Sequence, residues 1–355
     1  MVNFTPGPSE LYFTVSDHAK RAFRDRIPTI SHRSKVFESI FIEATSGLRE
    51  LLGLPSGFHV AFVASATEIW ERSIQSLVSE SSFHAVNGAF SKKYFEISQQ
   101  LGKKATSIEA PLGQGFQQLN IPQGQELIAL THNETSTGVS LPMSLLQSVR
   151  KANPESLIIV DAVSSLPYPE FDYSTFDSIY FSVQKGFGLP AGLGVWIYND
   201  RCVDRTEKLI ADGQRTGTYH SLLSLHSFAK KNQTPGTPNV LGIYLLGKVI
   251  QDFLRRGITT IRRETEYKAA VLYQILEKHP ELKAFVSNPE DRSKTVITIS
   301  CQKGIKELTS WLTQKGLHPG EGYGKLKESQ IRIANFPAHS KEHFEALADA
   351  LEEFH

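Results

Sequence analysis

Short apolar runs alternate with amphipathic stretches along the first two thirds of the chain. Six runs rich in aliphatic or aromatic residues predict strands, at 59–65, 84–89, 126–134, 156–162, 178–184 and 193–199. After the first run, apolar residues recur at helical spacing, at Ile69, Trp70, Ile74, Leu77 and Val78. Residues 90–102 predict a second helix, which Gly102 closes. The alternation indicates that strands and helices follow one another along the chain.

Several of these runs are almost continuously apolar, which suits strands buried on both faces. We therefore expect an α/β fold with a mostly parallel sheet and helices on each side. The pattern changes after a predicted helix at 239–257. Further helices are predicted at 258–278, 304–315 and from 341 onward, with strands at 295–301 and 329–336. This predicts a large domain over 15–256 and a smaller α+β domain formed by 257–355 with residues 1–14.

Composition narrows the classes of partner and location. The net charge is +1 over 355 residues, with Lys and Arg scattered, so a nucleic-acid surface is not indicated. No apolar stretch approaches the roughly 20 residues that span a bilayer, and residues 1–13 lack the features of a secretory signal. Cys202 and Cys301 belong to no paired motif. We expect a cytoplasmic protein without membrane or nucleic-acid partners.

Polar and aromatic residues follow the predicted strands at the edge where open α/β sheets bind ligands. These residues are Ser65-Ala66-Thr67, Phe90, Glu134-Thr135, Asp161 and Gln184-Lys185. Taken singly, each has an ordinary role: Ser65 as a helix cap, Asp161 in a turn, and Lys185 as a solvated strand end.

Together these residues favour a more specific chemistry. A lysine amine can form a Schiff base with an aldehyde cofactor. Pyridoxal phosphate also needs a phosphate cup, an aromatic ring to stack on and an acid that partners its ring nitrogen. Candidates for these three needs are Ser65 and Thr67, Phe90, and Asp161, while Thr135 is placed to hydrogen-bond the ring oxygen.

Seven motifs in this order resemble those of the class V aminotransferases, a branch of the pyridoxal-phosphate fold that includes aspartate aminotransferase. The motifs are TPGPS (5–9), SATE (65–68), THNETSTG (131–138), DAVSS (161–165), SVQKGFGLPAGLG (182–194), TPGTPN (234–239) and GYGKLKESQIRIANF (322–336). Asp161 and Lys185 stand 24 positions apart, as is typical of that family. The resemblance spans nearly the whole chain.

The resemblance implies a role for each candidate. It makes Lys185 the Schiff-base lysine, Asp161 the partner of the pyridine nitrogen and Arg332 the ligand of the substrate's α-carboxylate. Without the family, Arg332 would be an ordinary arginine on the solvated face of a strand. The implied cofactor contacts are Ser65, Ala66, Thr67, Phe90, Thr135, Ser164 and Gln184. Gln233 and Thr234 would reach the cofactor of a neighbouring subunit, which implies a homodimer with shared sites and small-molecule amino-acid and oxo-acid substrates.

Residues 31–35, SHRSK, resemble a segment of the family branch that acts on phosphoserine. In that branch the arginine binds the substrate's phosphate or the distal carboxylate of glutamate, which here would be Arg33 beside His32. The implied reaction is transamination between phosphoserine and 2-oxoglutarate, giving 3-phosphohydroxypyruvate and glutamate, and it belongs to serine biosynthesis.

Three departures from that branch keep other reactions open. Ala66-Thr67 replaces a Gly-Arg pair, and Phe90 replaces the usual tryptophan. A His-Arg pair that helps to bind substrate phosphate is missing near residue 320, where His318, Lys325 and Lys327 are the nearby basic residues. An alanine– or serine–glyoxylate aminotransferase, another class V aminotransferase and a non-catalytic binding module are the alternatives.

Residues 339–343, HSKEH, match the zinc pattern H-x-x-E-H. A cap at Ser340 would leave His339 outside the last helix, so that the two histidines would not share a face. We therefore expect no metal site. The glycines after Lys185 form neither a dinucleotide-binding nor a P-loop motif.

Overall fold

The computed structural model describes residues 1–355. Its strands are β1 (Val2–Phe4), β2 (Phe58–Val63), β3 (Ser81–Val86), β4 (Lys104–Glu109), β5 (Leu127–Thr131), β6 (Asn133–Glu134), β7 (Val139–Ser140), β8 (Leu157–Asp161), β9 (Ser178–Ser182), β10 (Gly194–Asn199), β11 (Leu282–Ala284), β12 (Val296–Cys301), β13 (Leu317–Glu321) and β14 (Ile331–Ala334). Its α-helices are α1 (Val15–Arg24), α2 (Lys35–Leu52), α3 (Ala66–Leu77), α4 (Ala89–Gln100), α5 (Met143–Ala152), α6 (Asp200–Ala211), α7 (Leu222–Ala229), α8 (Val240–Arg256), α9 (Ile258–Lys278), α10 (Ile305–Gln314) and α11 (Lys341–Glu352).

Seven strands form the larger sheet, in the order β2-β10-β9-β8-β5-β3-β4. Only β10 runs against its neighbours; the other six strands are mutually parallel, so their carboxyl ends share one edge. Successive residues of β8 enter opposite cores: Ile158 packs with α2 and α8, and Ile159 packs with α3. The predicted mostly parallel sheet with helices on both faces is confirmed.

The second sheet has the order β1-β13-β14-β12-β11. Strand β1 pairs with β13 in parallel and the remaining pairs are antiparallel, so both ends of the chain meet in this sheet. Helices α9, α10 and α11 cover it, and Phe4 is fully buried in the same core. The domain boundaries proposed from the sequence stay predictions.

Two glycines between the end of β9 and the start of β10, Gly186 and Gly194, allow the backbone to pack closely against neighbouring backbone. A Cβ on Gly186 would lie 1.9 Å from the carbonyl oxygen of Leu166, and one on Gly194 would lie 2.5 Å from the carbonyl carbon of Ser65. Only glycine fits such approaches. They bring the loop after Lys185 back against the first turn of α3. No helix is both long and apolar enough to span a bilayer.

Candidate active site

Lys185 lies three residues beyond the end of β9, at the carboxyl edge of the larger sheet. Its side chain is 8% exposed, and its Nζ donates to Thr135 Oγ1 at 3.2 Å. The same Nζ is 5.4 Å from the centre of the Phe90 ring. The N-terminal segment crosses beside it, since a Cβ on Gly7 would lie 3.0 Å from Lys185 Cε. The amine is therefore enclosed by three separate parts of the chain.

Burial lowers the pKa of Lys185 to about 8, and the positive charge of Arg332 acts in the same direction. The carboxylates of Asp161 and Glu134 raise this pKa and partly oppose the effect. Because the neutral amine is the nucleophilic form, a substantial reactive fraction exists slightly above neutral pH.

Asp161 ends β8 and is 5% exposed. Its Oδ1 accepts from the backbone N–H of Val163 at 2.9 Å. Its Oδ2 accepts from the Tyr180 hydroxyl at 3.1 Å and from Trp70 Nε1 at 3.3 Å. Burial raises the pKa of Asp161 to about 6, while the hydrogen bonds from Val163 and Tyr180 favour the charged form. The carboxylate is thus fixed in orientation by three donors.

The first turn of α3, where the sequence predicts a phosphate cup, lies beside β9. Ser65 is the N-cap, and its hydroxyl accepts from the N–H of Glu68 at 3.2 Å. The N–H of Ala66 donates to Ser182 Oγ at 2.8 Å, while Thr67 is exposed. The side-chain Oε1 of Gln184 is buried without a partner. That oxygen is an acceptor, so it is the NH₂ group of the same amide, together with the N–H groups at the helix N-terminus, that suits a bound anion.

Phe90, Thr135 and Ser164 surround the Lys185 amine, directly or through one another. Phe90 lies in the first turn of α4, not at a strand end, because β3 ends earlier than the sequence predicted. Thr135 Oγ1 donates to Ser164 Oγ at 2.8 Å, and Ser164 Oγ donates to the carbonyl of Asn133 at 2.9 Å. This chain leaves the Thr135 oxygen free to accept from Lys185.

Arg332 reaches the site from the second sheet. Ile331 and Ile333 on either side are fully buried in the small core, so Arg332 points away from that core, as its alternation with them predicted. Its Nη1 donates to the Thr135 carbonyl at 3.3 Å and its Nε to the Glu321 carbonyl at 2.7 Å. Burial lowers the pKa of Arg332 to about 10.

Four other candidates form a separate cluster. Arg33 donates from Nη1 to Gln233 Oε1 at 2.9 Å and to the Thr234 carbonyl at 2.7 Å. His32 Nδ1 lies 3.4 Å from the hydroxyl of Thr237. None of these bonds involves Lys185, Asp161 or Arg332. Of the basic residues near 320, Lys327 pairs with Glu321 at 3.3 Å.

The structure also adds residues to which sequence reasoning gave no site role. Trp70 and Tyr180 orient Asp161, although the pattern predicted Trp70 only as an apolar helix position. Tyr323 lies against both Phe90, at 4.9 Å between ring centres, and the guanidinium of Arg332, at 5.6 Å. Glu134 is fully buried beside Phe90. The available signal was chemical, since a buried tryptophan, tyrosine or glutamate needs a polar partner.

The HSKEH segment gives no shared histidine face. Ser340 caps α11 as predicted, accepting from the N–H of His343. His339 precedes the helix, where it is fully buried and stacked on Phe4 at 5.0 Å. Burial lowers the pKa of His339 to about 3, and its Nε2 lies 3.0 Å from the Asn3 carbonyl. This histidine joins the two ends of the chain.

The edge of the sheet therefore combines a buried amine, an oriented buried carboxylate, a helix N-terminus and a guanidinium. The family model for class-V aminotransferases matches residues 1–318, which include both Lys185 and Asp161. The chain belongs to the class-V aminotransferase family. It is an aminotransferase, and the fold predicted from the motifs is confirmed.

Individual relatives extend the comparison over the whole chain. A curated phosphoserine aminotransferase from a Nocardioides species is 28% identical and covers 98% of this chain and 94% of its own length. A solved phosphoserine aminotransferase from Cytophaga hutchinsonii is 48% identical, has a TM-score of 0.97 and covers 99% of this chain and 98% of its own. An aspartate aminotransferase from Thermus thermophilus shares the fold at a TM-score of 0.84 and 22% identity, covering 99% and 98% of the two chains.

Proposed function

We propose that this aminotransferase uses pyridoxal phosphate to transfer an amino group between phosphoserine and 2-oxoglutarate, giving 3-phosphohydroxypyruvate and glutamate. The observation that carries the proposal is the meeting of Lys185 and Arg332 at Thr135, next to Asp161. Similarity to phosphoserine aminotransferases over nearly the full chain supports the choice of substrate. The reaction would serve serine biosynthesis.

The residues present fit pyridoxal phosphate. The N–H groups at the first turn of α3 and the side-chain NH₂ of Gln184 suit its phosphate, and the Phe90 ring suits stacking. Asp161 would partner the ring nitrogen and Lys185 would attach the aldehyde, with Thr135 and Ser164 beside the ring oxygen. When bound, this cofactor withdraws electrons from the substrate's α-carbon.

Each catalytic side chain then has a defined task. The Nζ of Lys185, largely deprotonated above its pKa of about 8, would accept the α-proton and return it during transfer. Asp161, held by Tyr180 and Trp70, would keep its charge toward the ring nitrogen. Arg332 would bind the α-carboxylate as a two-pronged donor and orient the α-hydrogen toward Lys185.

The distal anion of the substrate needs a further cation. We propose that Arg33, with His32, Gln233 and Thr234, supplies it to the site of a second copy in a homodimer. Support comes from the bonds that join Arg33 to Gln233 and Thr234, none of which involves the lysine of their own chain. One guanidinium suits either phosphate or carboxylate. The cytoplasmic location stays a prediction.

One observation favours a second candidate, an alanine– or serine–glyoxylate aminotransferase. Lys327 is paired with Glu321, and Lys325 is exposed on a short 3₁₀ turn. The segment around residue 320 therefore does not present two neighbouring cations that would bind a substrate phosphate. Under this alternative Arg33 would not be needed for the donor.

A panel of donors and acceptors tests the proposal. The protein loaded with pyridoxal phosphate is assayed with phosphoserine, alanine and serine, each against 2-oxoglutarate and glyoxylate. We expect the highest kcat/KM for phosphoserine with 2-oxoglutarate, and Arg33→Gln should raise KM for phosphoserine more than for alanine. A preference for an unphosphorylated donor with glyoxylate would replace the proposal by the second candidate.

A further inference from the structure

Glu134 is a fully buried carboxylate next to the candidate site. Its Oε2 accepts from the N–H and the hydroxyl of Ser91, both at 2.9 Å. Its Oε1 accepts from the Ser136 hydroxyl at 2.6 Å, from the Ser136 N–H at 3.1 Å and from the Phe90 N–H at 3.4 Å. Five donors thus converge on a single side chain, which is the arrangement that compensates a buried charge.

These bonds replace a helix cap that α4 does not have. Its N-cap residue is Gly88, which carries no side chain, and a Cβ there would lie 2.3 Å from Glu134 Cγ. Ser136 completes the cap, because its hydroxyl accepts from the N–H of Ala89 at 2.9 Å. Free N–H groups at a helix start carry partial positive charge, so a carboxylate is the favoured partner.

The helix start that Glu134 holds also carries Phe90, whose ring faces the Lys185 amine. We propose that Glu134 is a positioning residue of the cofactor site, which fixes the Phe90 ring and adds one negative charge toward Lys185. The inference rests on the proposed use of pyridoxal phosphate. Glu134 touches neither the amine nor a substrate group, so it acts through Phe90 and through its charge.

The charge of Glu134 acts on both Lys185 and Asp161. It raises the pKa of Lys185 and that of Asp161. The other charged groups that face Lys185 are Arg332, which lowers its pKa, and Asp161, which raises it. When Glu134 is neutralised, one of the two charges that oppose the effect of Arg332 is gone. The pKa of Lys185 therefore falls.

The test compares Glu134→Gln with Glu126→Gln. Glu126 is a matched control, because its Oε2 accepts three backbone N–H groups, from Ser79, Glu80 and Ser81, at the opposite end of β5. For each protein, the dissociation constant of pyridoxal phosphate and the pH midpoint of the lysine-bound cofactor absorbance are measured. We expect Glu134→Gln to weaken binding about tenfold and to lower the midpoint by about one pH unit, while Glu126→Gln changes neither.

Two further variants separate the two effects. With Phe90→Leu, adding Glu134→Gln should weaken binding far less than it does in the wild type, because the ring to be positioned is gone. Ser136→Ala removes one donor but keeps the charge of Glu134, so it should weaken binding less than Glu134→Gln does and leave the midpoint unchanged, which keeps the test open if Glu134→Gln does not fold. Equal binding and equal midpoints in wild type, Glu134→Gln and Ser136→Ala would overturn the inference alone. A wild type that takes up no pyridoxal phosphate would overturn the proposed function with it.

Discussion

Lys185 follows a strand of the larger sheet and Arg332 lies in a strand of the second sheet, and both side chains donate to one residue, Thr135. The lysine amine donates to the Thr135 hydroxyl and the guanidinium donates to the Thr135 carbonyl. Two cations are thereby held close together at the carboxyl edge of the larger sheet. Burial lowers the pKa of Lys185, and the positive charge of Arg332 lowers it further.

Replacing Arg332 tests its effect on the pKa of Lys185 and its proposed binding of the amino donor. Arg332→Gln removes the positive charge that lowers the pKa of Lys185, so the pH midpoint of the lysine-bound cofactor should rise. The KM for the amino donor should also rise by roughly 100-fold, since a charge-assisted bidentate pair is lost. Spectroscopic titration and steady-state kinetics measure these changes. Arg292→Gln is the control, because Arg292 donates to Glu277 and to the carbonyls of Val286 and Ser287 but to no residue of the candidate site, so both values should stay unchanged. A midpoint that falls in Arg332→Gln would contradict the account.

The pH dependence of cofactor uptake reports the pKa of Lys185 directly. The neutral amine is the reactive form, and burial places its pKa at about 8, well below the ordinary lysine value of 10.5. The uptake rate of the apoprotein should therefore rise between pH 7 and about 9 and then level off. Stopped-flow absorbance measures it. A rate that still climbs steeply above pH 9 would indicate an unperturbed lysine.

The Tyr180 hydroxyl stabilises the charged form of Asp161. Tyr180→Phe removes that donor, so the pKa of Asp161 should rise above about 6 and the acidic limb of the kcat profile should move to higher pH. Tyr94→Phe provides the matched control. Tyr94 is buried on the same side of the sheet but bonds to Ser73 and not to Asp161. Identical acidic limbs in the two variants would show that Tyr180 does not tune Asp161.

The glycine after the lysine is required by packing. Gly186→Ala would place a methyl group 1.9 Å from the Leu166 carbonyl oxygen, so we expect a loss of about 3 kcal/mol or more in unfolding free energy, or no folded protein. Gly247→Ala in α8 meets its nearest atom at 3.5 Å and should stay within about 1 kcal/mol of the wild type. Thermal unfolding of both variants measures the contrast, and equal stability would refute the packing argument.

Much of the site was predictable because parallel strands end at one edge. Thr131 and Asp161 are paired across β5 and β8, and the residues following them are therefore neighbours. The apolar runs that form β8 and β12 also predicted strands, and the spacing of apolar residues predicted helices α8 to α11. These elements are long or strongly apolar, so local pattern and tertiary burial agree.

The remaining parts depend on contacts that no local pattern encodes. Strand β13 contains His318, Pro319 and Gly320 and exists because β1 and β14 pair with it. The approach of Arg332 to Thr135 depends on how the two sheets sit against each other. Glu134 supplies the helix cap that Gly88 cannot form, and it comes from a segment distant in sequence. The residues at the start of α4 therefore did not predict this contact.

The most direct test asks which lysine carries the cofactor. The chain has two buried lysines with lowered pKa values, Lys185 at about 8 and Lys268 at about 7. Lys268 donates to the carbonyls of Phe336 and His339, away from Asp161 and Phe90. The loaded protein is reduced with borohydride, digested and mapped by mass spectrometry. We expect one equivalent of phosphopyridoxyl group on Lys185 and none in Lys185→Ala. A label on Lys268, or no label in the wild type, would show that Lys185 is not the attachment point.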